Sequence, residues 1–513
     1  MERFLQRHAE RITGVLSGFD RVLFRGTLRS LSYLEGMDKF LGSQGVLYKE
    51  FGAFAERLSG QVKAQAEAIA QQHGRPLRYL ESAQESKEAI ARAIMEKDGI
   101  REGLVCVLTC VEPCRSFFLR KDAERKLLQL VGGVRKCLHV YYYFVDREFG
   151  LMHVRLQTWL PFPIQVCLNG REYLARQLDK AGIGYDKRDN CFVRVDDLKG
   201  AQKILDRLVQ RKWVKYLKAL ARRVNPLLLP QSGLSLRDYY WTWREGEYAT
   251  DILFKDAASL KEIYPRLVRH ALTVFGCRDL LRFLGRRVNR RFPGEVTTVW
   301  HERVEGVCVK HWVEDNSLKM YDKQGSVLRI ETTINNPRRF KAFRWATRQG
   351  KRCQAWLPMR KSITDLPRLV EICQAANQRY LEALADVEIT QPVYQVLDPV
   401  SKRIEKDGRP YRGLRPVTAE EAALFACLLN GKYRLQGFRN ADARRILCPQ
   451  KPIDPKQRRA ACAKTSRYLR LLRAHGLIRK VPRTLCYRLT QRGTQVMTTA
   501  IKLRETSVTS LAA

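Results

Sequence analysis

The sequence has no run approaching roughly 18 consecutive apolar residues, and Met1-Glu2-Arg3-Phe4-Leu5-Gln6-Arg7 lacks the apolar centre of a secretory signal. A soluble, cytoplasmic chain without a membrane partner is therefore expected. Cysteine is sparse, 14 in 513 residues scattered from Cys106 to Cys486, which excludes a disulfide-built scaffold and fits reduced thiols. Cys106, Cys110 and Cys114 lack the spacing of a metal knuckle, and their strand-like setting predicts buried core thiols. A glycine-rich phosphate loop is missing, because Gly132-Gly133 and Gly325 have no Lys-Ser/Thr context. A serine-nucleophile elbow is missing too, so nucleotide and ester hydrolysis are disfavoured. There is no internal repeat and no low-complexity segment. Above all the chain is short of negative charge: 53 Asp and Glu stand against 94 Lys and Arg, a formal charge of +41. Such an excess points to a polyanionic partner, because Lys and Arg neutralise phosphates and release condensed counterions.

What is present suits a multidomain globular protein: 45% hydrophobic and 29% charged residues. Breaks at Asn225-Pro226 and between Pro392 and Val417 divide the chain into 1–225, 226–395 and 396–513. The expected fold class is α+β, two mixed sheet regions followed by an α-rich C-terminal winged helix. In the first region, residues near 1–18 and 36–74 have helical spacing, and 21–26 and 104–110 read as strands. Residues 137–146 and 150–159 read as a hairpin, and 165–180 as a helix stopped at Gly182. The hairpin's His139, Tyr141, Tyr143, His153 and Arg155 share one face, which either packs on a core or stacks bases. Packing is the favoured reading.

In the last region Thr418 starts a helix that carries Glu421 three residues on, a second helix covers 440–447, and a long third helix runs from Lys456 to His475. Two short strands with Pro482-Arg483-Thr484 at their tip follow. Residues 401–513 carry 26 Lys and Arg against 7 Asp and Glu. The stretch Leu471-Leu472-Arg473-Ala474-His475-Gly476-Leu477-Ile478-Arg479-Lys480, with Tyr487-Arg488-Leu489-Thr490-Gln491-Arg492-Gly493, resembles the winged-helix family of bacterial DNA-binding regulators. The resemblance implies a third helix inserted in the major groove and a wing on the backbone. The DNA-binding candidates are Arg458, Arg459, Lys464, Arg467, Arg470, Arg473, Arg479, Lys480 and Arg483.

The middle region holds the main chemical candidate. If Ser317 to Ile334 forms two strands around a Gln324-Gly325-Ser326 turn, then Lys319, Tyr321 and Lys323 share one face, and Arg329 and Glu331 share a face of the partner strand. Positive neighbours favour an ionised phenol, the form in which tyrosine is a nucleophile. Lys-Met-Tyr-Asp-Lys followed by Arg-Ile-Glu is similar to strands of replication initiators from rolling-circle plasmids and filamentous phages. That resemblance, over about 25 residues, implies Tyr321 near a nicking centre and Glu331 as a carboxylate ligand. His311 is added here as a second candidate ligand for Mg²⁺ or Mn²⁺. The chain departs from the wider nicking-enzyme pattern in having no pair of histidines separated by one apolar residue. Asp20, Glu247, Asp251 and Glu302 are further acids that spacing alone does not bring together.

The expected function is thus that of a DNA-binding protein of a mobile element or replicon that nicks DNA through Tyr321, assisted by Lys319, Lys323 and Glu331. Duplex DNA is the expected partner, with single strands engaged at the middle sheet. The alternatives are a non-enzymatic winged-helix regulator and a structured-RNA binder.

Overall fold

The computed structural model describes residues 1–122, 127–286, 294–303, 306–348, 350–385, 393–430, 433, 437–448, 454–482 and 484–506. Its contacts divide into two units. One gathers Arg11–Lys261 and Trp300–Asn377; the other gathers Met1–Glu10, Glu262–Val299 and Gln378–Ala513.

The first of these is built on a large, mainly antiparallel sheet. Its strands are β1 (Ile12–Thr27), β2 (Leu77–Leu80), β3 (Gly103–Lys121), β4 (Leu128–Asp146), β5 (Gly150–Gln157) and β6 (Ile164–Asn169) from the N-terminal stretch. After a small separate hairpin, β7 (Tyr185–Arg188) and β8 (Cys191–Val195), come β9 (Tyr240–Phe254), β10 (Val296–Arg303), β11 (Gly306–Val313), β12 (Asn316–Lys323) and β13 (Val327–Thr333). The sheet strands that lie wholly in this unit follow the order β11-β12-β13-β9-β1-β6-β5-β4-β3-β2, antiparallel throughout except β2 with β3.

The two sheet regions expected from the sequence are therefore one sheet. β9 is hydrogen-bonded between β1 and β13, so the strands before residue 225 and those after it form two adjoining halves of one sheet, joined at the β1–β9 pair. A break in composition marks a connection, not the edge of a sheet, because pairing partners are chosen by non-local register. Two helical expectations are also corrected. Residues 1–18 divide into a short helix, Glu2–Arg7, and the start of β1 at Ile12. Residues 165–180 divide into β6, whose burial alternates, and the helix Gly170–Ala181. Asn169 makes that switch, its Oδ1 accepting from the backbone N–H groups of Arg171 and Glu172 at 2.8 and 3.0 Å.

The helices Gly170–Ala181 and Leu198–Val209 cover one face of the sheet, where Leu174, Leu178 and Leu205 pack with Leu16, Leu253 and Val327. On the other face Asn377 donates to the Tyr248 carbonyl and to Thr250, and accepts from Thr332. The aromatic hairpin β4–β5 is interior: His139, Tyr141 and Tyr143 are buried, and the two tyrosines pack in a cluster with Ala91, Cys106 and Cys110. Cys114 is buried as well.

The second unit contains a C-terminal module that runs helix Ala419–Leu429, strand Phe438–Arg439, helix Asn440–Leu447, helix Pro455–Ala474, strands Ile478–Lys480 and Cys486–Leu489, then helix Gln491–Glu505. The three strands form one small sheet, and Leu424, Phe425, Leu469, Leu472 and Met497 share its core. Thr418 precedes the first helix without capping it through its side chain; its hydroxyl donates to the Arg415 carbonyl. Among the described residues, no helix is long and apolar enough to cross a membrane.

Candidate functional site

The hairpin β12–β13 forms in the expected register. Lys319 lies opposite Glu331 and Tyr321 opposite Arg329, across a turn in which Gln324 and Gly325 take φ of 57° and 73°. Alternation therefore puts Lys319, Tyr321, Arg329 and Glu331 on the face covered by the helix Gly170–Ala181. β9 adds Asp251 opposite Arg329 and Ala249 opposite Glu331. β1 adds Asp20 through a bulge: pairing with β9 shifts between Phe19 and Arg21, which leaves Asp20 as the extra residue and re-aims its carboxylate.

At the centre is a buried ion-pair network. Arg329 is wholly buried and grips Asp251 with two hydrogen bonds, Nε to Oδ1 at 2.6 Å and Nη2 to Oδ2 at 2.9 Å. Its Nη1 donates to Asp20 at 2.9 Å. Arg171, also wholly buried, approaches Asp251 at 3.0 Å, and Asn190 donates to Asp20 at 2.8 Å. Burial raises a carboxyl and two guanidinium neighbours lower it. For Asp251 the arginines prevail and its pKa falls below 3.8; for Asp20 burial prevails and its pKa rises.

Beside this network three carboxylates gather. Asp20, Glu247 and Glu331 each offer an oxygen, all within 4.8 Å of one another. Glu331, only 2% exposed, accepts from Lys319 Nζ at 2.6 Å and from the Tyr321 hydroxyl at 2.9 Å. Glu247 lies 3.3 Å from Arg21 and 3.8 Å from Lys319. Burial and then the neighbouring Glu331 raise the Glu247 pKa.

This arrangement changes the expected state of Tyr321. Both lysines are occupied by acids, Lys319 by Glu331 and Lys323 by Asp189 at 3.3 Å. Burial first and Glu331 second push the phenol well above 10, so Tyr321 is a protonated phenol donating to a carboxylate. His311 does not join the group. It is fully buried, and its position opposite Leu318 places it on the opposite sheet face from Lys319. Burial lowers its pKa to about 4. Glu302 is exposed on β10.

Of the acids weighed from the sequence, Asp20 and Glu247 converge with Glu331, and Asp251 anchors the arginine beneath them. Arg171 and Asn190 were invisible to sequence reasoning. The signal that could have found them is the capping residue Asn169, whose Nδ2 donates to Asn190 at 2.8 Å.

In the C-terminal module, Arg458, Arg459, Lys464, Arg467, Arg470, Arg473, Arg479 and Lys480 are all exposed, while Thr465, Leu469, Leu471 and Leu472 face inward. Lys464 approaches Glu420 at 3.5 Å. Arg483 lies outside the described residues. Comparison with known protein families, curated proteins and solved structures finds no match, so residue geometry alone carries the functional reading.

Proposed function

We propose that this chain is a DNA-binding protein of a mobile element or replicon that nicks DNA through Tyr321. The observation that carries the reading is the 2.9 Å hydrogen bond from the Tyr321 hydroxyl to Glu331, a nucleophile already joined to a base. In the proposed step the phenol oxygen bonds to phosphorus while Glu331 takes its proton. The bond from phosphorus to one ribose oxygen breaks, and that oxygen gains a proton from water. The product is a phosphotyrosine link and a free hydroxyl end. Lys319 holds Glu331 in place, and Lys323 adds positive charge beside the strand.

The donor chemistry at Asp20, Glu247 and Glu331 suits a hard divalent cation such as Mg²⁺ or Mn²⁺, because three carboxylates crowd together and two of them have raised pKa values. Those three residues would hold it, and a bound ion would polarise the phosphodiester.

Two further features support a nucleic-acid partner. The order of elements in the C-terminal module and its exposed cationic third helix fit a winged helix on duplex DNA. The ribbon formed by Lys341–Arg348 and Lys351–Pro358 has Phe343, Trp345 and Trp356 more than half exposed. With five basic and no acidic residues in 341–358, it fits a stacking surface for single-stranded DNA.

A non-enzymatic regulator is favoured by one observation: Arg21, Arg171, Lys319 and Arg329 balance Asp20, Glu247, Asp251 and Glu331, as in a structural network. The RNA reading loses its motive, since the hairpin tyrosines are in the core.

The deciding test mixes purified protein with supercoiled and single-stranded DNA from its own locus, with Mg²⁺ or Mn²⁺, and resolves the products on denaturing gels. A nicked product with protein-linked DNA that is lost in Tyr321→Phe is expected. Tight binding with no adduct under either metal would sink the nicking mechanism and leave the regulator.

A further inference from the structure

Away from the carboxylates, the same sheet forms a cavity of about 740 Å³ whose lining includes Arg25, Arg115, Arg155 and Arg244 and no acidic residue. Each arginine is put there by a strand. Arg25 lies on β1, opposite Gln165 and Thr242, four residues and roughly 13 Å along the strand from Arg21. Arg155 lies opposite Gln165 on the next strand but one. Arg244 is the extra residue of a second bulge, since Leu23 faces Glu245 and Phe24 faces Trp243. Arg115 comes from the far half of β3, opposite Val134.

Four like charges around one cavity repel, and the protein supplies little to offset them. Arg155 is paired, with Glu112 at 2.6 Å and Gln165 at 3.2 Å, yet its buried Nε meets no acceptor among the described residues. Arg25, Arg115 and Arg244 have no carboxylate partner among the described residues. Arg25, Arg115 and Arg244 are solvent-exposed, and partial desolvation, then Arg244, Arg115 and Arg155, lower the Arg25 pKa. Two exposed arginines of this unit that do have acids are Arg92, paired with Glu88, and Arg147, paired with Glu102. The cavity also has an apolar rim: Tyr33, 55% exposed, lines it and presents a ring to anything bound.

We propose that this cavity binds the phosphate of a nucleoside phosphate ester, with the guanidiniums on the phosphate oxygens and Tyr33 against the base. Guanidinium forks match phosphate geometry, and the volume falls within the roughly 300–1,000 Å³ of small-molecule sites. The ester is either a free nucleotide or the terminal nucleotide of a single strand. Both offer the same chemistry. The site stands apart from the tyrosine chemistry, being built from other residues of the sheet.

The test uses the full chain and fluorescence titration with three probes: a fluorescent adenosine triphosphate, a short labelled single-stranded oligonucleotide with a 5′-phosphate, and the same strand without it. Arg25→Gln and Arg115→Gln are expected to weaken binding about tenfold or more, while Arg147→Gln and Tyr321→Phe leave it unchanged. Loss of triphosphate binding identifies a free nucleotide as the ligand; loss confined to the 5′-phosphorylated strand identifies a strand end. If no probe binds, or if both arginine variants bind as the wild type does, the proposal is overturned. Should a variant fail to fold, phenylglyoxal modification of the wild type decides: mapped by mass spectrometry, reaction at Arg25 and Arg115 slows at least severalfold with the bound probe, and equal rates with and without it refute the site. Because Tyr321→Phe ends adduct formation but not this binding, the two readings fail separately.

Discussion

At the scale of single residues, the centre of the molecule is a problem in charge compensation. Arg171 and Arg329 are wholly buried and both depend on Asp251, which is itself fully buried. Removing one partner of such a set strands the others in a low-dielectric interior, which typically costs about 3–5 kcal/mol. Asp251→Ala should therefore lower stability by about that amount in denaturant titration, several times the effect of Glu88→Ala at the exposed Arg92 pair, where an ion pair is worth about 0–1 kcal/mol. Equal losses would show that Asp251 is not the keystone. Asp322 poses the opposite case. It sits near the end of β12, opposite Leu328, with its Oδ1 buried and unpartnered among the described residues, and burial raises its pKa from 3.8 to about 6. A carboxyl raised in the folded state favours folding fully below pH 3.8 and loses that contribution as pH climbs through 6, because the folded protein must then hold a buried charge. Asp322→Asn removes the titration. Its melting temperature should match the wild type below about pH 4 and exceed it at pH 8, the gap widening between pH 3.8 and about 6 and staying constant above. A gap that does not vary with pH would contradict the assignment.

At the scale of elements, the site depends on how a strand ends and a helix begins. Asn169 closes β6, caps the helix Gly170–Ala181 and reaches through Asn190 to Asp20. Gly170 is needed beside it, since a Cβ there would stand 2.0 Å from the Phe19 carbonyl oxygen and push the helix off the bulge that aims Asp20. Asn169→Ala should cost about 1 kcal/mol through the cap and, if the chain to Asp20 matters, weaken divalent-ion binding measured by calorimetry. A loss of stability with unchanged ion binding would confine Asn169 to capping. This junction also shows what the sequence could reveal. The β12–β13 hairpin was legible down to its register, because alternation and a short Gly-containing turn are local signals. The helices Ala419–Leu429, Asn440–Leu447 and Pro455–Ala474 were legible from local signals too, whereas the helix Gln491–Glu505 was not foreseen. The junction at Asn169 was not, since Ile164 to Leu168 is apolar enough to extend a helical pattern backwards and only pairing with β1 and β5 makes it a strand. The convergence of Asp20, Glu247 and Glu331 was equally hidden. It arises where strands more than 200 residues apart in sequence lie side by side, and one bulge decides which way Asp20 points.

At the scale of the whole molecule, a charge of +41 sets a behaviour that no single site explains. Where a protein neutralises phosphates, affinity falls linearly with the logarithm of salt concentration, with a slope of about 0.9 per phosphate on duplex DNA. The cations of the C-terminal helix can be separated from the general excess by this slope. Arg467 and Arg470 are exposed on the helix Pro455–Ala474, three residues apart and so on one face, and neither has an acidic partner among the described residues. If each meets a phosphate, replacing both by Gln should flatten the salt dependence of duplex binding by about 1.8, read from anisotropy titrations across a range of potassium concentrations. Arg92→Gln removes the same charge from a pair already balanced by Glu88 and should leave the slope alone. Were the double variant to keep the full slope, the third helix would not lie on the phosphates, and the DNA-binding surface would have to be sought among the other cations. Were Arg92→Gln to flatten it equally, attraction would be spread over the whole basic surface, and no helix would deserve the name of a recognition element.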